Sequence, residues 1–119
     1  MQRYSIDLPF PISVNNLYRV VRGKPVTSAA YRDWTARADL LGLVQHVGSK
    51  KPLKHFEAEI YLDVLQRSKR DLDNYAKGVL DWAQRVNLIH NDRACEALFM
   101  RWSDAAPEGC LLILTEVPK

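Results

Sequence analysis

The sequence predicts a two-layer α+β domain: a mixed β-sheet of about four strands with two helices packed on one face. Three observations lead there. Apolar residues alternate with polar ones over residues 4–8 and 56–64, as in half-buried strands. Two other stretches repeat apolar residues every three or four positions, as amphipathic helices do. The remaining apolar runs, near the C-terminal end, are separated by turn residues.

The elements follow in order. Tyr4, Ile6 and Leu8 alternate with Ser5 and Asp7, and Pro9 and Pro11 keep this first strand from continuing as a central one. Residues 13–24 hold Asn15, Asn16, Arg19, Arg22, Gly23 and Lys24 around Leu17, Tyr18, Val20 and Val21, a basic loop or short hairpin. Ser28 is a suitable N-cap for a helix whose stripe is Tyr31, Trp34, Ala38, Leu41 and Val44, closed by Gly48 and Ser49. After the basic connector Lys50, Lys51, Pro52 and Lys54, the clearest strand sets Phe56, Ala58, Ile60, Leu62 and Val64 against Glu57, Glu59, Tyr61 and Asp63. A second helix starts near residues 71–74 with the stripe Tyr75, Ala76, Val79, Leu80, Ala83 and Val86, and Asn87 ends it. A strand over residues 95–100 then turns through Ser103, Asp104 and residues 107–109 into residues 111–117 as its hairpin partner.

A chain of 119 residues is the size of one domain, here residues 1–119, with 47% apolar and 26% charged residues, an ordinary globular balance. No apolar run is long enough for a membrane span, and residues 1–8 lack a signal-peptide core, so a cytoplasmic location is expected. Cys95 and Cys110 show no framework or zinc spacing and are expected to be free thiols. The net charge of +3 is uneven: residues 1–54 carry nine Lys/Arg and three acids, whereas residues 55–119 carry eight and eleven. A basic front half suits a polyanionic partner, because each neutralised phosphate releases counterions; a merely solvated surface would look similar.

Asp71 and Asp73 stand two residues apart where a loop enters the second helix, so in extended geometry both carboxylates point the same way. Lys77 lies one helical turn beyond Asp73, and Arg67, Lys69 and Arg70 precede the pair. Acids framed by cations suit a hard cation acting on a phosphate: carboxylates hold Mg²⁺, and basic side chains hold neighbouring phosphates. Asp92 supplies a third carboxylate after the helix. The plainer alternative is that Asp71 or Asp73 caps the helix, Asp73 pairs with Lys77, and Asp92 is a turn residue. Trp34 belongs to the first helix's apolar stripe, whereas Trp82 lies off the second helix's stripe and is a candidate dimer contact, as is the strand over residues 95–99.

The run Arg70, Asp71, Leu72, Asp73, Asn74, with Lys77 and then Asp92, closely resembles the signature of RusA-type Holliday junction resolvases. Leu8, Pro9, Phe10 and Pro11 followed by Asn15, Asn16, Tyr18 and Arg19 resemble that family's opening strand and loop. The resemblance implies a RusA-like fold and a homodimeric, Mg²⁺-dependent endonuclease, often encoded by phages or prophages, that resolves four-way junction DNA by paired nicks in recombination and repair. It makes Asp71, Asp73 and Asp92 the metal-binding acids and Lys77 the catalytic lysine. Asn15, Asn16, Arg19, Arg22, Lys24, Arg67, Lys69 and Arg70 are the candidate DNA contacts. One departure is Asn91, where the family pattern usually has a further Asp, so a fourth carboxylate is absent.

The alternative is a non-catalytic nucleic-acid-binding module using the same basic surface. A pure binder has no use for three acids among its cations, since carboxylates repel phosphates. A small-substrate phosphatase or nucleotide hydrolase would call for a phosphate-cradling glycine-rich loop, and five scattered glycines form none.

Overall fold

The computed structural model describes residues 1–118. Strand β1 (Arg3–Pro9) buries Tyr4, Ile6 and Leu8, and Pro9 is its last paired residue, opposite Gly109. The basic segment forms a hairpin of β2 (Tyr18–Val21) and β3 (Lys24–Thr27). Its two turn residues, Arg22 and Gly23, have φ of 53° and 77°, and positive φ at both positions suits the twist of a tight hairpin.

Helix α1 (Ala29–Val44) starts as expected, with the Ser28 hydroxyl accepting the Tyr31 N–H at 3.1 Å. Its buried stripe is Tyr31, Trp34, Ala38 and Gly42, which corrects the expected Leu41 and Val44; Val44 is 74% exposed. The reason is at Gly42, where an added Cβ would lie 3.0 Å from Val47 Cγ2 and 3.2 Å from Trp82 Cζ2. The helix turns its smallest residue to its tightest contact. It stops before Gly48, through His46 at φ 60°, and Gly48 and Ser49 fall in a 3₁₀ turn instead.

Strand β4 (Phe56–Asp63) buries Phe56, Ala58, Ile60 and Leu62 and turns Glu57, Glu59 and Tyr61 to the other side. Helix α2 (Ala76–Arg85) follows a 3₁₀ turn at Leu72–Tyr75, and Asn87, at φ 64°, ends the segment as expected. Trp82 does not face outward. It is 1% exposed, meets Trp34 edge to face at 6.4 Å, and donates its indole N–H to Asp39 Oδ1 at 2.9 Å, so it is core and not a dimer contact.

Strands β5 (Cys95–Ser103) and β6 (Gly109–Glu116) are not a hairpin pair. The sheet order is β1-β6-β4-β5; β6 runs antiparallel to both β1 and β4, and β5 runs parallel to β4, reached through the α2 crossover. Burial explains the difference. Cys110, Leu112, Ile113 and Leu114 are buried on both faces of β6, as a central strand requires, while Leu98 and Phe99 of β5 are about half exposed at the sheet edge. Both helices lie over the face formed by Ile6, Leu8, Ile60, Leu62 and Leu112, in one hydrophobic cluster. Cys95 and Cys110 are free, and burial pushes the Cys110 thiol far above its usual range.

Candidate active site

The loop between β4 and α2 is held from beneath by aromatic packing. Tyr75 meets Phe10 at 5.1 Å and Trp102 at 6.1 Å, and Phe10 stacks on Trp102 at 6.2 Å. The Tyr75 hydroxyl shares a 3.0 Å hydrogen bond with Ser68, and the Arg67 guanidinium lies 5.7 Å from the centre of the Trp102 ring. Arg70 reaches back to the first loop, donating to Ser13 Oγ at 2.7 Å and to the Asn16 side-chain oxygen at 3.2 Å once that amide is oriented to satisfy both groups. Ser13 is buried, so Arg70 clamps two loops together.

Asp71 and Asp73 emerge from this clamped loop. Asp71 occupies the cap position of the 3₁₀ turn without making a side-chain cap bond, and Asp73 lies in its first turn. Both are exposed, and neither carboxylate takes a hydrogen bond or an ion pair among the described residues. The capping and Asp73–Lys77 pairings that would make them ordinary helix-start residues are therefore not formed.

Lys77 turns the other way along α2. Its Nζ donates to Asp81 Oδ1 at 2.9 Å and lies 3.6 Å from Asp92 Oδ2. The Asp81 hydrogen bond, opposed by partial burial and aided by the charges of Asp81 and Asp92, holds the lysine pKa above its usual value, so the group is an ammonium ion. Asp92 begins a 3₁₀ turn at Asp92–Ala94. Gln84 Oε1 accepts its backbone N–H at 2.9 Å, and Asn91 Oδ1 accepts the Arg93 N–H at 2.9 Å. Asn91 thus caps the turn that presents Asp92, a task for which Asn and Asp are equally suited.

The structure brings Lys77 and Asp92 together. It does not draw Asp71, Asp73 and Asp92 around one point: among the described residues no three His, Cys, Asp or Glu side chains are grouped closely enough to hold a metal ion. The donor chemistry nonetheless suits a hard divalent cation, with carboxylate oxygens throughout and two carboxylates that take no partner among the described residues. Arg19, Arg22 and Lys24 are exposed on the hairpin, as are Asn15 on the preceding turn and Arg67 and Lys69 on the acid loop. Lys77, Asp81 and Gln84 line an open cleft of about 780 Å³ between α1, α2 and the hairpin, with Tyr18, Arg32 and Arg85 on its other walls.

Sequence reasoning missed Asp81 and Gln84 as parts of this arrangement. Their signal was the spacing from Lys77, four and seven residues on, which places all three on one helix face.

No family model matches the chain. Among curated proteins it is similar to the crossover junction endodeoxyribonuclease RusA of Escherichia coli strain K12 and to that of Enterobacteria phage 82. Each is 39% identical over 84 residues, covering 68% of this chain and 67% of the relative. The protein of the same name from Shigella sonnei is 38% identical over the same length.

Proposed function

Because the chain belongs to the RusA family of crossover junction endodeoxyribonucleases, we propose that it is a Mg²⁺-dependent endonuclease that resolves four-way DNA junctions by paired nicks in recombination and repair. The observation that carries this reading is the approach of Lys77 Nζ to Asp92 Oδ2, 3.6 Å apart though fifteen positions separate them in sequence. It joins the helix that follows Asp71 and Asp73 to the third acid of the same motif.

In this reading Asp71, Asp73 and Asp92 are the residues that would hold the cation, the two loop acids having to close toward Asp92 to do so. Bound there, Mg²⁺ would polarise a phosphoryl oxygen and lower the pKa of a water. The chain's own groups do the rest. The Lys77 ammonium faces an open cleft, where it would stabilise negative charge developing on the scissile phosphate. Arg19, Arg22 and Lys24 project from a hairpin that forms part of the same cleft through Tyr18 and Thr27, and would grip the backbone of a junction arm. Arg67 and Lys69 would do so from the acid loop, whereas Arg70 and Asn16 serve first to hold that loop in place.

A four-way junction has near two-fold symmetry and needs two incisions, which suits a C₂ homodimer. The half-exposed Leu98 and Phe99 on the β5 edge support that strand as the contact. Among the described residues no helix is long and apolar enough to cross a membrane.

The test is a nicking assay on a four-way junction and on linear duplex of the same sequence, with Mg²⁺ and with chelator. Paired, Mg²⁺-dependent nicks in the junction alone are expected. Binding to both DNAs without cleavage would favour the non-catalytic module.

A further inference from the structure

We propose that the apolar face of the β2–β3 hairpin, formed by Tyr18, Val20 and Pro25, tells branched from linear DNA by packing against base pairs at the branch point. The inference rests on the functional reading above in taking a four-way junction as the substrate.

The hairpin is a two-stranded ribbon apart from the main sheet. Its base is fixed to the start of α1: Ser28 donates its N–H to the Leu17 carbonyl at 2.9 Å, Arg32 Nη1 donates to the Thr27 carbonyl at 2.7 Å, and Tyr18 meets Tyr31 edge to face at 6.4 Å. Beyond that base, every residue from Arg19 to Pro25 is exposed.

The pleat sorts the side chains. Tyr18 pairs with Thr27 and Val20 with Pro25, so these share one face, while Arg19, Val21, Lys24 and Val26 take the other. Tyr18 and Thr27 line the same cleft as Lys77, and the face they share with Val20 and Pro25 therefore continues that wall outward. Val20 stands two residues, ~7 Å, beyond Tyr18 and is 76% exposed. Thr has the same branched shape and suits a solvated strand as well, so Val at this position leaves apolar surface for a partner and gains nothing in strand formation. The turn and the opposite face carry Arg22, Arg19 and Lys24, which set the partner's charge. A polyanion that also offers apolar surface is a nucleic acid, with base faces beside its phosphates.

Inside a continuous duplex an apolar side chain reaches base faces only by prising two stacked pairs apart. At a branch point the strands change partners, and the step there opens at lower cost. The cations would serve both DNAs equally, whereas the apolar face would add affinity for the junction alone.

The test is fluorescence anisotropy on a four-way junction and on linear duplex, in chelator so that neither is cut, with thermal melting as a check on folding. Val20→Thr should lower the junction-to-duplex preference by about three- to tenfold, the scale of a methyl group's burial, with duplex affinity and melting unchanged. Val20→Ile should keep the preference, and Val20→Thr with Pro25→Ser should lower it further. A 2-aminopurine placed at the branch point should brighten on binding wild type and less on binding Val20→Thr. Wild-type preference in the double variant would overturn the proposal. An equal loss on both DNAs would also overturn it, making the hairpin a backbone grip only. A wild-type protein that binds neither DNA would overturn the functional reading and this inference together. One that prefers the junction but does not cut it in Mg²⁺ would overturn the nuclease reading, while the effect of Val20 would still decide this one.

Discussion

The phenolic hydroxyl of Tyr31 donates to the carbonyl oxygen of Gly78 at 2.9 Å, a buried bond between residues 47 positions apart. It ties α1 to α2 one residue beyond Lys77, and Gly78 allows the approach: an added Cβ there would lie 3.2 Å from the Tyr31 ring and 3.0 Å from Leu17. Burial first, and then the negative charge of Asp81, raise the Tyr31 pKa, so the hydroxyl keeps its proton. Tyr31→Phe should cost about 1 kcal/mol of stability, the worth of a net buried hydrogen bond. Urea unfolding checks this, with a lower midpoint expected at unchanged slope.

Gly109 starts β6 at φ 122°, and a Cβ there would stand 2.4 Å from the backbone nitrogen of Phe10. Because that neighbour is backbone, it cannot rotate away. Gly109→Ala should cost at least about 2 kcal/mol, visible as a large drop in the thermal midpoint. An unchanged midpoint would mean that β1 and β6 join differently.

Two surfaces considered for dimerisation now separate. Trp82→Ala should lower stability by about 3–5 kcal/mol, as removal of a buried indole does. Phe99→Glu, on the half-exposed β5 edge, gives up the ring contact with Tyr61 at 5.9 Å and stands opposite Glu59, so it should lower the thermal midpoint far less than Trp82→Ala does while shifting the sedimenting species from twice 13.7 kDa to one chain. A Phe99→Glu protein that still sediments as a dimer would move the contact to another face.

How legible this was from the sequence depends on the kind of information each feature needed. The Ser28 cap, the alternation in β4 and the left-handed Asn87 are local, and residue type and spacing were sufficient to place them. The partner of β6 is not local. Periodicity names the face that a strand buries but not its neighbour, so the turn residues before β6 suggested a hairpin with β5, whereas the buried run Leu112, Ile113, Leu114 belongs between β1 and β4. Trp82 was misplaced because a helical wheel around Val79 and Ala83 does not show that Gly42 opens room for an indole on the neighbouring helix. In the site, the motif led to Asp71, Asp73, Lys77 and Asp92. The Asp81 partner of Lys77, four residues on in the same helix, was legible in the spacing, whereas the bond of Gln84 to the Asp92 N–H depends on how the chain returns after α2.

The basic residues should also divide. Replacing Arg19, Arg22 and Lys24 together by Ala should flatten the salt dependence of DNA binding by about 0.9 in log–log slope for each duplex phosphate that is no longer neutralised. Arg70→Ala should instead lower stability, because it leaves the buried Ser13 hydroxyl without its partner. Fluorescence anisotropy over a salt series, paired with thermal melts, distinguishes the two classes.

In the proposed function the acid loop and Asp92 form one hydrolytic centre. The measurement that bears on it most directly is single-turnover cleavage of a saturated four-way junction in Mg²⁺ by wild type and by Asp92→Asn, with junction affinity measured alongside. Asp92→Asn should lose cleavage by about a hundred- to a thousandfold, the scale on which removing one electrostatic group from a catalytic site acts, and should bind the junction as tightly as wild type or more tightly. Cleavage by Asp92→Asn at the wild-type rate would mean that Asp92 is only the partner of Lys77 and that the acid loop works without it.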